Sequence, residues 1–301
     1  MLLHFRLIVK ADGMIALKTI LGLCMALDHA DCSVQEIELE LHQYHYHYLP
    51  AFLQLAASTG RSRHIRSLKI TWSSLDIMAS YLAAVMDVTQ TIDTVYIVED
   101  LTRKPVKHVS AATWASLQSA CTNMKTVKQL SFLNARVTAI VNHVIQHIPT
   151  TIGRANFTGC AFNLMCAGQV ASYLHGNSAI QSLDLSYTKL NSSEFVAIFQ
   201  GMQMCKGIQC VRMRGAKLER PCIVALVEYI KLTHSLEELD LSDCELNTEM
   251  CMRLVTAIKQ NRTLAKMVFV DAKITNEGRR VISKTKTKLK PVSIEGLLKI
   301  Y

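Results

Sequence analysis

Residues 180–190 read IQSLDLSYTKL, 208–218 IQCVRMRGAKL, 236–246 LEELDLSDCEL and 264–274 LAKMVFVDAKI, an unbroken step of 28 residues. Apolar side chains hold relative positions 1, 4, 6 and 11 in every copy. They are Ile180, Leu183, Leu185 and Leu190; Ile208, Val211, Met213 and Leu218; Leu236, Leu239, Leu241 and Leu246; Leu264, Met267, Phe269 and Ile274. Position 9 is small throughout (Thr188, Ala216, Cys244, Ala272). Between these stretches the period changes. Phe195, Ile198, Phe199 and Met202 are spaced i, i+3, i+4, i+7, as are Ile223, Leu226, Val227 and Ile230, and Cys251, Leu254, Val255 and Ile258. A period near two followed by a period of 3.6 reads as a short strand, a turn, an amphipathic helix and a return loop. Asn191-Ser192-Ser193 and Asn247-Thr248 supply N-cap chemistry where the helices begin.

With the register known, fainter copies emerge upstream. They start at Ile152, Val127, Ile92, Ile65, Val34 and Leu2, and a truncated copy starts at Leu289. The reading is therefore one array of about 10–11 repeats over residues 1–301: weak repeats over 1–151, regular ones over 152–288, and a short last unit over 289–301. Two long steps place insertions around Leu41–Leu49 and Leu101–Ser110. A lone unit of this size buries too few side chains to offset the entropy of ordering it, so the units must stack. The expected fold class is α/β, a solenoid of horseshoe form with a curved parallel sheet on its concave side and helices on its convex side.

The pattern resembles the leucine-rich repeats, in particular the ribonuclease-inhibitor-like subtype with units near 28 residues. The resemblance spans essentially the whole chain. That family often places Asn at position 9, whereas this chain has Thr, Ala, Ser or Cys; Cys160 and Cys244 match the family's Cys variant. What the resemblance implies is a protein-interaction scaffold without catalytic activity. Ran GTPase-activating proteins share the repeat subtype, so regulation of a small GTPase is one alternative. Their strongly acidic tail has no counterpart here.

Composition sets bounds. Half the 301 residues are apolar, 19% are charged and Gly and Pro number 12 and 5, which excludes disordered and collagen-like chains. No stretch reaches 18 uninterrupted apolar residues, so no transmembrane segment is expected. Arg6, Lys10 and Asp12 interrupt any secretory signal, while the acid-free Met1–Ala11 leaves organellar import open. The ten cysteines form no C-x-x-C pair and read as reduced, buried thiols of a cytoplasmic, reducing compartment. From Arg253 to Tyr301 there are twelve Lys/Arg against three Asp/Glu, so the net charge of +9 resides in that segment.

The residues expected to face outward carry the functional reading. Positions 5, 7 and 8 project from the concave sheet, and the candidate partner-binding set there is Trp72, Tyr96, Asn156, Asp184, Tyr187, Arg212, Arg214, Asp240 and Asp243. Aromatic and Arg anchors mark recognition surfaces. The competing explanation is lateral pairing of Asp184, Arg212 and Asp240 along the sheet. The apolar opening MLLHFRLIV leads to a second expectation: a stable protein partner covers the Leu2–Leu7 edge within a larger complex.

Other chemistry is weaker. His42, His45 and His47 in HQYHYHY lack interleaved Cys or carboxylate ligands and read as a polar insertion, so no metal is expected. No P-loop, G-x-G-x-x-G, G-x-S-x-G or H-E-x-x-H occurs, so no enzyme activity and no cofactor are expected. Arg279, Arg280, Lys284, Lys286, Lys288 and Lys290 form a candidate anionic-surface contact, for nucleic-acid phosphate or lipid headgroups, as in a ribonucleoprotein or membrane-associated assembly. A solvated last helix with cations near its C-terminus is the plainer reading of that run.

Overall fold

The computed structural model describes residues 5–9, 17–41, 48–102, 109–135, 138–286 and 293–295. Strand and helix alternate along the chain, and packing divides it into two compact units: residues 1–135 with 143–152, and residues 136–142 with 153–301.

In the first unit five strands pair in parallel, in chain order: β1 (Phe5–Val9), β2 (Val34–Leu41), β3 (Ser67–Trp72), β4 (Thr94–Glu99) and β5 (Gln129–Leu133). Helices α1 (Leu17–Asp28), α2 (Leu49–Arg61), α3 (Leu75–Met86) and α4 (Ala111–Thr122) connect them. β3 and β4 alternate half-buried and buried residues strictly, so Leu68, Ile70, Val95 and Ile97 fill the core while Lys69, Thr71, Tyr96 and Val98 point away from it.

The second unit repeats the scheme in shorter strands: β6 (Arg154–Asn156), β7 (Ser182–Asp184), β8 (Cys210–Arg212), β9 (Glu238–Asp240), β11 (Lys266–Val268) and β13 (Ser293–Glu295), all parallel. Helices α6 (Leu164–Gly176), α7 (Ser192–Met204), α8 (Arg220–Leu232), α9 (Thr248–Gln260) and α10 (Asn276–Lys286) follow these strands. A second ladder, β10 (Glu245–Leu246) with β12 (Lys273–Ile274), lies in the turns. α5 (Thr138–Val144) and a 3-10 turn (Ile145–His147) complete the elements.

The expected register is the observed one. Leu183 pairs with Val211, Val211 with Leu239 and Leu239 with Met267. Ile180, Ile208 and Leu236 are fully buried equivalent rungs. Consecutive parallel strands joined by right-handed crossovers place every helix of a unit on one side of its sheet and leave the other side open. Strands about 4.8 Å apart opposite helices about 8–10 Å apart make that open side the concave one.

Hydroxyls tie the return loops of successive repeats. Thr91 and Thr126 donate to the carbonyls of Ile65 and Ile92, and Ser235 and Thr263 donate to those of Ile208 and Leu236, at 2.7–2.9 Å. Asn191 caps α7 in a full capping box with Glu194, and Asn163 and Asn247 cap α6 and α9 through single bonds to Cys166 and Met250. The two insertions fall mainly on residues outside the described ones, as do His42, His45 and His47.

Candidate functional site

Position 8 of the repeat organises the open face. Asn134, Gly159, Tyr187, Gly215, Asp243 and Asp271 all occupy the left-handed region, with φ between 53° and 71°. Gly, Asn and Asp tolerate that conformation; a tyrosine there is an outlier. The ladder holds it in place, since the Tyr187 N–H donates to the Arg214 carbonyl at 2.7 Å. In the first unit β3 and β4 run through position 8 without turning, so Trp72 follows the strand alternation inward. This corrects the expectation for Trp72: only 8% exposed, it belongs to the interior, and its indole N–H has no hydrogen-bond partner among the described residues.

Tyr187 is 50% exposed. Its hydroxyl donates to the Asp243 carboxylate, and the edge of its ring lies over Gly215, where a Cβ would meet ring atoms at 2.6 and 2.8 Å. Glycine at 215 is thus favoured by the φ of +62° and required by this contact. The bond to Asp243 raises the Tyr187 phenol above the ordinary tyrosine value.

Beside it, Arg214 Nε donates to Asp240 Oδ2 at 2.6 Å. Asp240 Oδ1 accepts from the N–H of Ser242 at 3.0 Å and from its hydroxyl at 2.6 Å. Only 1% of Asp240 is exposed, so it supports the face rather than presenting itself on it, a second correction. Asp184 accepts from the Ser186 N–H at 2.9 Å, and Asn156 accepts from the N–H and hydroxyl of Thr158 at 2.8 and 2.7 Å. The motif Asn/Asp-x-Ser/Thr at 156–158, 184–186 and 240–242 is a turn device that could have been read from the sequence and was not. The lateral pairing of Asp184 with Arg212, the competing explanation for these residues, is not made among the described residues, although the two are register partners.

Tyr96, in the first unit, is half-buried, and its hydroxyl accepts from Gln129 at 3.2 Å. Lys69 and Glu38 pair there at 2.6 Å. That unit also has a cavity of about 650 Å³ between the ends of α1 and α2, but its carboxylate, Asp28, is engaged by Ser58 and Arg61. Among the basic residues of the last segment, Arg279 donates to the Ile274 carbonyl and Arg280 lies near Glu277. Lys284 is exposed on α10, while the Lys286 side chain, Lys288 and Lys290 lie outside the described residues, as do Leu2 and Leu3 of the opening edge. Among the described residues no group of His, Cys, Asp and Glu is arranged to hold a metal ion, and no helix is long and apolar enough to cross a membrane.

No family model and no curated protein matches this chain. Among solved structures, it is similar to the leucine-rich repeat-containing protein LegL7 from Legionella pneumophila, with a TM-score of 0.57 and 16% identity, over 95% of this chain and 91% of that one. This chain has the leucine-rich-repeat fold. A protein from Bacteroides fragilis also aligns, at a TM-score of 0.49 and 11% identity, over 96% of this chain and 74% of that one. In leucine-rich-repeat terms, Tyr187, Arg212, Arg214 and Asp243 lie at the ends of the strands and in the turns that follow them, in three successive repeats, with Asp240 buried beneath Arg214.

Proposed function

We propose that the protein is a non-catalytic interaction scaffold, with residues 1–301 acting as one array, that docks a partner protein on the open face of its second unit around Tyr187. The observation that carries this reading is the half-exposed Tyr187 ring, kept in a left-handed conformation by the ladder and tied to Asp243. Strain at an exposed aromatic that neighbouring bonds over-determine fits a functional role better than a stabilising one. A rigid aromatic loses little entropy on docking, which is what an interface anchor requires.

The test is site-specific photo-cross-linking in the native source. A benzophenone amino acid at position 187 should capture one predominant partner, while the same group at Val224, on the surface of α8, should not. Equal capture from both positions, or capture from Val224 alone, contradicts the proposal.

A further inference from the structure

The open face of the second unit alternates in chemistry from repeat to repeat. Repeats starting at 180 and 236 carry Asp-Leu-Ser at positions 5–7, and each carboxylate binds its own position-7 N–H. The repeat between them has Arg212-Met213-Arg214. Its position-7 N–H, that of Arg214, is taken instead by the Ser186 hydroxyl of the preceding repeat at 3.2 Å. The backbone therefore needs nothing from the Arg212 side chain.

Nor does any neighbour among the described residues hydrogen-bond to it. Arg212 lies in register between Asp184 and Asp240 but hydrogen-bonds to neither. Its nearest acid is Glu238 at 3.9 Å, beyond hydrogen-bond reach, and Lys266 stands 3.8 Å from the same carboxylate. Arg214 commits only Nε, to a carboxylate that is itself buried, so from solvent that pair presents the guanidinium. The two side chains keep 38% and 46% of their surface exposed. Arg212 ends β8 and Arg214 follows two residues on in the turn, both pointing away from the side on which Val211 and Met213 are buried. The Arg212 guanidinium, which makes no hydrogen bond among the described residues, and the terminal nitrogens of Arg214 are forked donors that match planar carboxylates in bidentate geometry.

Resting on the docking reading above, we infer that Arg212 and Arg214, with Tyr187 beside them, form a carboxylate-reading site for an acidic segment of the partner protein. A residue that departs from the repeat's pattern with no structural use is where function is expected to reside. Asp184 and Glu238 at the rim disfavour a polyanion of uniform charge, so an acidic peptide with apolar or neutral residues between its carboxylates is the better fit than a nucleic acid.

The experiment is peptide selection from a random displayed library on the full chain, followed by anisotropy measurements on the enriched peptides. Enriched sequences should carry Asp or Glu. Exchanging those acids for Asn or Gln, or making Arg212→Ala, should weaken binding by about tenfold or more, with Arg212→Lys retaining part of it. Binding should also weaken as salt rises from about 0.05 to about 0.5 M. Arg212 makes no hydrogen bond among the described residues, so a thermal melt of Arg212→Ala should match the parent and exclude misfolding. Acid-free peptides that lose binding on Tyr187→Ala would overturn the carboxylate assignment but leave the docking face intact. Peptides indifferent to both variants, or no enrichment, would overturn both. Competition by a single-stranded oligonucleotide at equal strength would assign the site to phosphate and overturn the proposal.

Discussion

Tyr187 and Asp243, 56 residues apart, meet across Gly215 through a phenol-to-carboxylate hydrogen bond. Three successive position-8 residues are thereby joined, and the middle one must be glycine. A side chain at 215 would add the strain of a positive φ to contacts of 2.6 and 2.8 Å with the ring. Gly215→Ala should cost about 2 kcal/mol or more. In a Tyr187→Gly background the ring contact is gone, so the same substitution should cost measurably less. A double-mutant cycle by urea unfolding checks this, and strict additivity would refute the contact.

Asp240 should govern part of the acid stability. Burial alone would raise its carboxyl, but the bonds from Ser242 and Arg214 outweigh burial and hold it below the ordinary aspartate value. A carboxyl held low in the folded chain stabilises the fold above its unfolded value of about 3.9, and that contribution is lost as pH falls through the lower folded value. Asp240→Asn should therefore be less stable than the parent near pH 7 and lose less on going to about pH 3. Parallel losses would show that the ion pair contributes nothing.

Capping gives a local prediction. Asn191→Ala removes the bonds from the Ser193 and Glu194 N–H groups and breaks the capping box. A loss of about 1–2 kcal/mol is expected in thermal or urea unfolding.

Thiol reactivity should follow burial. Cys121 and Cys244 are pushed up to about 12 and Cys251 to about 11, each chiefly by burial, so their thiolates are scarce at neutral pH. In the native protein Cys32, which is only partly buried, should react first with a disulfide reagent, and these three only on unfolding. Rapid native modification of Cys244, located by mass spectrometry, would contradict the packing of its repeat.

The ladder was legible because buried rungs tolerate little variation. Ile180, Ile208 and Leu236 each fill the same interior position, so their spacing survives in the residue types. The caps were legible for the same reason, Asn191 and Asn247 being among the few side chains able to serve the first turn. Outward positions were read less well. Alternation assigns a face, but whether position 8 continues the strand or turns depends on φ. Trp72 continues inward while Tyr187 turns outward, and the aromatic character they share does not distinguish them. Asp240 looked like a surface acid because its sequence does not reveal that Arg214 and Ser242 enclose it.

The claim that the second unit docks a partner on its open strand face is tested most directly by hydrogen–deuterium exchange with and without the partner captured at residue 187. Protection is expected in 182–188, 210–216 and 238–244, with α7, α8 and α9 unchanged on their outer surfaces. Protection confined to those helices, with the three strand–turn segments exchanging as in the free chain, would contradict it.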